Sequence, residues 1–271
     1  MAYTLKIREE AKKYNPIDDP LFCKMAEDLE FCQEILRVIM EDPELTVLTN
    51  QQQDFLRNLQ GRSVILDAKC TLGDGRKVDI EIQKADNDDH QRRVRYNGAV
   101  LTVNITDPGM NFKDVPDVCV IYISRFDVFG KSRVIYHVRR IIEECDTFVD
   151  NGFEEIYVNA AVKDDTEISE LMKVFTEDSA YSEKFPVTSR LKHRFKETEE
   201  GLDIMCEVSE RIMEYGREEG REEGREEGRE EINALNNKLI VENRWEDLKR
   251  AAMDAAYQNQ LLRELFPKTA K

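Results

Sequence analysis

The chain has few of the residues that staple a small domain or coordinate a metal. Six cysteines occur in 271 residues, and no two of them form a C-x-x-C pair. This spacing argues against a zinc ribbon and against a disulfide framework, so we expect reduced, buried thiols in a cytoplasmic protein. The histidines are far apart and show no metal-ligand spacing, so no zinc site is predicted. They are His90, His137 and His193.

Long apolar segments are also missing. No stretch approaches the roughly 20 apolar residues that a membrane span needs, and the N-terminal segment lacks the apolar core of a signal peptide. We therefore expect neither membrane insertion nor export. A phosphate-binding G-x-x-x-x-G-K-[ST] loop is missing too, because the glycines at 73 and 75 read as a hairpin turn.

Negative charge is in excess. The formal net charge is −16, and 35% of the residues are charged while 41% are hydrophobic, as in a globular chain with unusually high charge. Net acidity opposes non-specific DNA binding, which depends on Lys and Arg at the phosphates. Two basic clusters show that the local sign can differ from the net sign. They are Arg92, Arg93 and Arg95, and Lys131, Arg133, Arg139 and Arg140.

The first half of the chain predicts a helix followed by strands. Residues 19–40 space apolar side chains three and four apart, as in an amphipathic helix, with Asp18 or Asp19 as N-cap before Pro20. Residues 45–48 predict a short strand. Residues 63–85 predict two strands joined at 72–75, a turn rich in residues that tolerate positive φ.

The second half continues the alternation. A helix is predicted from about 88 to 105, and the continuous apolar run at 115–129 predicts a strand buried on both faces. Residues 132–141 and 154–160 predict two further strands, and 165–213 is mainly helical with an interruption at Pro186. This order predicts an α/β fold with a mixed sheet.

An internal repeat precedes the C-terminal end. Residues 216–231 are Gly-Arg-Glu-Glu four times over. Ion pairs stabilise such a helix by a few tenths of a kcal/mol each, whereas each Gly costs about 1 kcal/mol relative to Ala. We therefore predict a domain at 1–215, a solvated linker of marginal helical stability at 216–231, and a helical element at 232–271.

The hairpin carries the residues that suggest chemistry. Asp67 interrupts a strand that is otherwise built to be buried, and Asp79, Glu81 and Gln83 share one face of the next strand. Alternating polar and aliphatic residues are also typical of any half-exposed strand. A buried carboxylate needs a partner, however, and we expect a divalent cation shared by Asp67 and Glu81. Such oxygen ligands suit Mg²⁺ or Mn²⁺, which can activate water for phosphodiester hydrolysis.

These features resemble the PD-(D/E)XK nuclease superfamily, in detail the branch of PD-(D/E)XK nuclease family transposases, or recombination-promoting nucleases. The resemblance covers roughly residues 15 to 215 and implies a restriction-endonuclease-like αβββαβ core, a mixed central sheet flanked by helices, with a helical C-terminal appendage. The matching stretches are DPLFCK (19–24), SVILDAKCTLGDGRKVDIEIQ (63–83), QRRVRY (91–96) and NFKDVPDVCVIYISRFDVF (111–129).

The resemblance implies that Asp67, Glu81 and Gln83 are catalytic. Asp67 and Glu81 would bind the metal, and Asp79 would be a third ligand or a partner of the ligands. Gln83 stands where the superfamily usually has Lys, so its amide can orient water but brings no positive charge. Lys84 should point to the opposite face.

Four residues of the following helix are expected to bind DNA, although Arg93 and Tyr96 could equally brace the core, and Asp19 could be only a helix cap. They are Arg92, Arg93, Arg95 and Tyr96.

Three functions remain open. The first is a metal-dependent DNA endonuclease of a transposase or recombination-promoting type, with DNA as partner and homo-oligomers formed through the C-terminal helices. The second is a catalytically weak or inactive nuclease-fold interaction protein that assembles through those helices. Asp67 and Glu81 favour the enzyme, whereas the missing lysine and the net charge favour the second. The third is an acidic scaffold unrelated to nucleic acid.

Overall fold

A computed structural model describes residues 2–56, 64–86 and 89–266. The chain divides into two compact units, Met1–Glu210 and Arg211–Lys271. The strands are β1 Val47–Leu56, β2 Val64–Leu72, β3 Lys77–Gln83, β4 Val118–Ser124, β5 Ile135–Val138, β6 Arg140–Ile142, β7 Thr147–Val149 and β8 Phe153–Asn159. The helices are α1 Ala2–Ala11, α2 Asp19–Met25, α3 Leu29–Ile39, α4 His90–Ile105, α5 Glu167–Thr176, α6 Pro186–Glu197, α7 Glu199–Val241, α8 Trp245–Met253 and α9 Ala255–Leu265.

A mixed sheet forms the centre of the first unit, in the order β1-β2-β3-β4-β8-β5. β1, β2 and β3 are antiparallel, β3, β4 and β8 are parallel, and β5 is an antiparallel edge strand. Every residue of β4 is buried, as the apolar run predicted. The predicted α/β class and the αβββαβ order are thus confirmed.

The predicted hairpin is present as β2 and β3. Its turn depends on two glycines: Gly75 has φ of +94°, and a Cβ on Gly73 would lie 2.3 Å from the Thr46 hydroxyl oxygen. In β2 alternate residues are buried, but 78–82 of β3 are all buried. The half-exposed interpretation is therefore wrong for β3, because both of its faces are covered. Ser63 and Asp88, where the hairpin and the next helix were predicted to begin, lie outside the described residues.

The single helix predicted over 19–40 is wrong. The chain leaves the helix after α2 and starts again at α3, whose N-cap Asp28 accepts a hydrogen bond from the Glu30 amide. Asp18 is the N-cap of α2, before Pro20, but its side chain makes no capping hydrogen bond. The strand predicted at 45–48 is the start of the longer β1.

The strand predicted at 132–141 is also wrong in its length. β5 ends at Val138, and the next residues form a separate two-stranded ribbon of β6 and β7. The ribbon side chains are exposed, so no burial holds them in the central sheet. All six cysteines lie in the described residues and none forms a disulfide; Cys145 is exposed, Cys206 is partly buried and the other four are buried.

The second unit contains the end of α7 together with α8 and α9. Its small core consists of Leu235, Leu239, Ala251 and Leu261. The Gly-Arg-Glu-Glu repeat is helical and belongs to the continuous helix α7. In the described part of the chain, none of the helices combines the length and the apolar character needed to cross a membrane.

Candidate active site

Asp67 and Glu81 meet where β2 and β3 separate. The antiparallel ladder between these strands ends at the Ala68–Ile80 pair, and Asp67 and Glu81 are the next residues. The Asp67 amide donates to Oε1 of Glu81 at 3.2 Å, and the Ile82 amide donates to Oδ2 of Asp67 at 3.0 Å. Side-chain carboxylates therefore replace backbone carbonyls as acceptors at this point of the sheet.

Both carboxyl groups are costly to ionise in this position. Burial raises the pKa of Asp67 well above its usual value, and the nearby Glu81 charge raises it further. Burial likewise raises the pKa of Glu81, and its neighbour Asp79 adds to the effect. The amide hydrogen bonds and the positive charge of Arg93 oppose both shifts without cancelling them. The pair therefore favours a bound proton or a cation.

Asp79 lies behind this pair. It is fully buried, two residues before Glu81, and it faces Lys69 across the strand pair. After burial, the charge of Asp79 makes the largest contribution to the raised pKa of Glu81, which is 7% exposed. Among the residues that the structure describes, no group of three Asp, Glu, His or Cys side chains has a metal-binding arrangement.

Gln83 is bound at both ends of its amide. Its Oε1 accepts a hydrogen bond of 2.7 Å from Nη1 of Arg93, and its Nε2 donates to the Ala85 carbonyl at 2.9 Å. The structure thus joins Gln83 and Arg93, which sequence reasoning assigned to separate roles. Lys84 lies apart from this pair, since its ammonium forms an ion pair with Asp18.

Tyr122 on β4 is next to Glu81 in the parallel register. Its hydroxyl lies 2.7 Å from Nδ1 of His90, whose Nε2 lies 3.0 Å from Asp86. Burial raises the pKa of Tyr122 to about 12, so the phenol stays protonated. Sequence reasoning missed Tyr122 and His90, although the predicted neighbouring strands offered a signal for Tyr122.

Asp19 also acts on this group of residues. It is the first residue of α2, one position after the N-cap that was considered for it. Desolvation and the neighbouring Asp18 raise the pKa of Asp19, and the charge of Asp19 in turn raises the pKa of Asp67. The negative potential at the site thus has a contribution from α2.

The other residues predicted to bind DNA lie outside this group. Arg92 and Arg95 are exposed on α4, and Arg92 pairs with Asp89 at 3.1 Å. Tyr96 is partly buried and packs against the core, the bracing alternative considered for it. In the second basic cluster, Arg140 covers the Phe153 ring at 5.1 Å.

Comparison with known proteins identifies the family. The family model described as PD-(D/E)XK nuclease family transposase matches residues 21–219. No curated protein and no solved structure matches the chain. The matched region includes β2, β3 and α4, which carry the acid pair, Gln83 and Arg93. The chain belongs to the PD-(D/E)XK nuclease family transposases.

Proposed function

We infer that this chain is a metal-dependent DNA endonuclease of a transposase or recombination-promoting type. The observation that carries this proposal is the pair of carboxylates, Asp67 and Glu81, held together at the opening between β2 and β3. Membership of a nuclease family supports the reaction class, which is hydrolysis of a phosphodiester.

The donor chemistry of this pair suits Mg²⁺ or Mn²⁺. Each carboxylate has one oxygen bonded to a backbone amide and a second oxygen outside that bond. Mg²⁺ is commonly held by one or two carboxylates, with waters and substrate phosphates completing its shell. A divalent ion there would lower the pKa of a bound water and neutralise charge on the phosphate. Burial opposes ionisation of both carboxyl groups when no cation is bound, and this adds support for a cation at the pair.

The neighbouring polar residues have supporting roles in this proposal. The complete burial of Asp79 supports a role in which its charge acts on Glu81, rather than a role as third ligand. Gln83 contributes polar atoms beside the reacting phosphate, and its charge is zero. Arg92 and Arg95 are exposed and positively charged, which supports contact with DNA phosphates despite the net charge of −16.

A supercoiled-plasmid assay tests the proposal. Wild-type protein should nick the plasmid with Mg²⁺ or Mn²⁺ and not with EDTA, while Glu81→Gln, purified in parallel, should show only background. The exposed Asp165→Asn variant serves as a matched control for a lost carboxylate and should nick like the wild type. Equal nicking by the wild type and Glu81→Gln would identify a contaminating nuclease and contradict the proposal.

Assembly without cleavage is the second candidate function. Two observations favour it: Gln83 stands in the lysine position, and the second unit exposes large apolar side chains, with Val241 79%, Trp245 51% and Met253 93% exposed. We propose that the helices of residues 232–271 assemble the chain into homo-oligomers. Residues 216–231 would then be a spacer between these helices and the domain at 1–215. Light scattering of the full chain and of a chain lacking 217–271 tests this, since only the full chain should self-associate. Under this second function neither chain should nick the plasmid, whereas under the endonuclease function the truncated chain should keep metal-dependent nicking.

A further inference from the structure

Arg93 has an unusual position among the basic residues of the first unit. It lies in the first turn of α4, and Nη1 donates to Oε1 of Gln83 at 2.7 Å. Its side chain also acts on the Tyr122 hydroxyl of the neighbouring strand, because Arg93 lowers the pKa of that phenol against the effect of burial. The bond to Gln83 therefore holds the guanidinium at the C-terminal end of β3, beside β4.

Its positive charge lies beside the acid pair. Gln83, to which Arg93 donates, is two residues from Glu81 and on the same face of β3. The adjacent Lys84 does not take this place, because its ammonium is bound to Asp18. Lys77, on the same strand as Glu81, donates instead to the Thr71 hydroxyl at 3.0 Å.

We propose that Arg93 provides the positive charge that stabilises the transition state, and that Gln83 and Tyr122 are residues that position it. This inference rests on the proposed nuclease function. It changes the role of Gln83 from orienting the attacking water to holding the arginine, because both ends of its amide are already bonded. It also explains how a chain with Gln in the lysine position keeps a positively charged side chain at the site.

The reaction requires a positive charge near the phosphate but no proton transfer from Arg93. A water oxygen forms a bond to phosphorus while the ester P–O bond breaks, and negative charge grows on the phosphate oxygens and on the leaving oxygen. The water proton is released to solvent, and the leaving oxygen takes a proton from solvent. The guanidinium stays protonated throughout and donates hydrogen bonds that strengthen as the charge grows.

The hydrogen-bond chain behind Arg93 prepares it for this role. The Tyr122 hydroxyl is itself fixed by His90, which contacts Asp86, so the phenol cannot turn away without breaking a buried bond. A donor that is already oriented needs no reorganisation during the reaction. Most of the rate enhancement from such groups arises from this preorganisation. Arg190 in α6 is exposed and pairs with Asp28 and Glu30, so it offers a matched control for the loss of one arginine.

Single-turnover nicking with Arg93→Gln, Arg93→Lys and Arg190→Gln tests the inference, together with DNA affinity measured in Ca²⁺. Removal of one stabilising donor from an active site costs about 10²- to 10³-fold in rate. We expect a loss of about that size for Arg93→Gln with the affinity for DNA changed less than about threefold. Arg93→Lys should recover at least about tenfold, since it restores the charge without the planar fork. Arg190→Gln should keep the cleavage rate.

Two further variants keep the test sharp. Gln83→Lys combined with Arg93→Gln should nick at least about tenfold faster than Arg93→Gln, because the charge returns by another route. Tyr122→Phe should lower the rate less than Arg93→Gln while leaving the thermal midpoint within a few degrees. Nicking by Arg93→Gln at the wild-type rate, or a loss explained by DNA affinity alone, would overturn the inference while the nuclease function stands. Absence of metal-dependent nicking in the wild type would instead overturn the proposed function, and the inference with it.

Discussion

One hydrogen bond joins Asp67 to Glu81 across the opening between β2 and β3. The Asp67 amide donates to the Glu81 carboxylate, and the Asp67 carboxylate accepts from Ile82, the residue after Glu81. Ordinary ladder bonds would satisfy the same amides with neutral carbonyls. The chain instead brings two acids together in a buried position, which costs stability when both are ionised. Several consequences of this arrangement can be measured.

The first concerns stability without metal. Asp67→Asn and Glu81→Gln keep an oxygen that accepts the same backbone hydrogen bond but remove a buried charge. We expect each to raise the free energy of unfolding by about 1–3 kcal/mol at pH 8 in EDTA, within the usual range of single substitutions. Urea denaturation followed by circular dichroism measures the change. Asp165→Asn, at an exposed position, should change it by less than about 0.5 kcal/mol.

Addition of Mg²⁺ should reverse this ranking. A ligand that binds only the folded state stabilises it in proportion to its concentration over its dissociation constant. Saturating Mg²⁺ should therefore raise the unfolding midpoint of the wild type and leave that of Asp67→Asn nearly unchanged. An equal rise in both proteins would show that the ion binds elsewhere.

The second prediction concerns pH. Because burial raises the pKa of Asp67 and Glu81 above their unfolded values near 4, the folded state binds more protons than the unfolded state at intermediate pH. Stability from this pair is then present at low pH and is lost as pH rises through the raised pKa values. In EDTA, the stability advantage of Asp67→Asn should widen from pH 4 upward, by at most about 1.4 kcal/mol per pH unit for each proton. An advantage that shrinks with rising pH would contradict the shift.

The third prediction concerns DNA affinity. Arg92 and Arg95 are exposed on α4, so Arg92→Gln and Arg95→Gln should weaken binding equally for unrelated sequences. Each lost phosphate contact should reduce the slope of log affinity against log salt by about one. Fluorescence anisotropy in Ca²⁺ at several salt concentrations measures both. Unchanged slopes would direct the search to Lys131, Arg133, Arg139 and Arg140 as the DNA-binding surface.

Much of the central sheet could be predicted because its pattern is local. The hairpin of β2 and β3 has strict alternation and a glycine turn, and β4 is an uninterrupted apolar run. The acid pair follows from the hairpin register alone. These parts need no knowledge of distant residues.

Other features depend on contacts that sequence spacing does not reveal. Asn50 and Gln52 are polar, so the apolar pattern did not predict that β1 continues through them. In the structure both side-chain amides donate to the Ala26 carbonyl at 2.6 Å. That same carbonyl lies at the break between α2 and α3, so one tertiary contact explains both errors. The bond between Arg93 and Gln83 joins a helix to a strand, and only the packing of α4 brings them together.

The fourth prediction tests a buried lysine in the helical layer. Lys192 is fully buried, and its ammonium donates to the carbonyls of Val174, Glu177 and Ala180, at the end of α5 and just beyond it. Lys192→Met fills similar space but leaves these neutral acceptors unsatisfied, so we expect a loss of about 1–3 kcal/mol. The exposed Lys184, which pairs with Glu170, is the control. Lys184→Met should cost less than about 1 kcal/mol in the same urea titration.

The last prediction compares two glycines in helices. A Cβ on Gly98 in α4 would lie 2.2 Å from the Phe153 ring, whereas a Cβ on Gly228 in α7 would meet nothing within 4 Å. Alanine is about 1 kcal/mol better than glycine in a helix interior, so Gly228→Ala should stabilise its helix by about that amount. Gly98→Ala gains the same propensity but forces α4 away from the sheet, and overpacking of this kind costs about 1–3 kcal/mol. Because α4 carries Arg93, the Gly98→Ala shift should also lower the nicking rate, while Gly228→Ala leaves it unchanged. Wild-type nicking and stability in Gly98→Ala would show that α4 can move without disturbing the site.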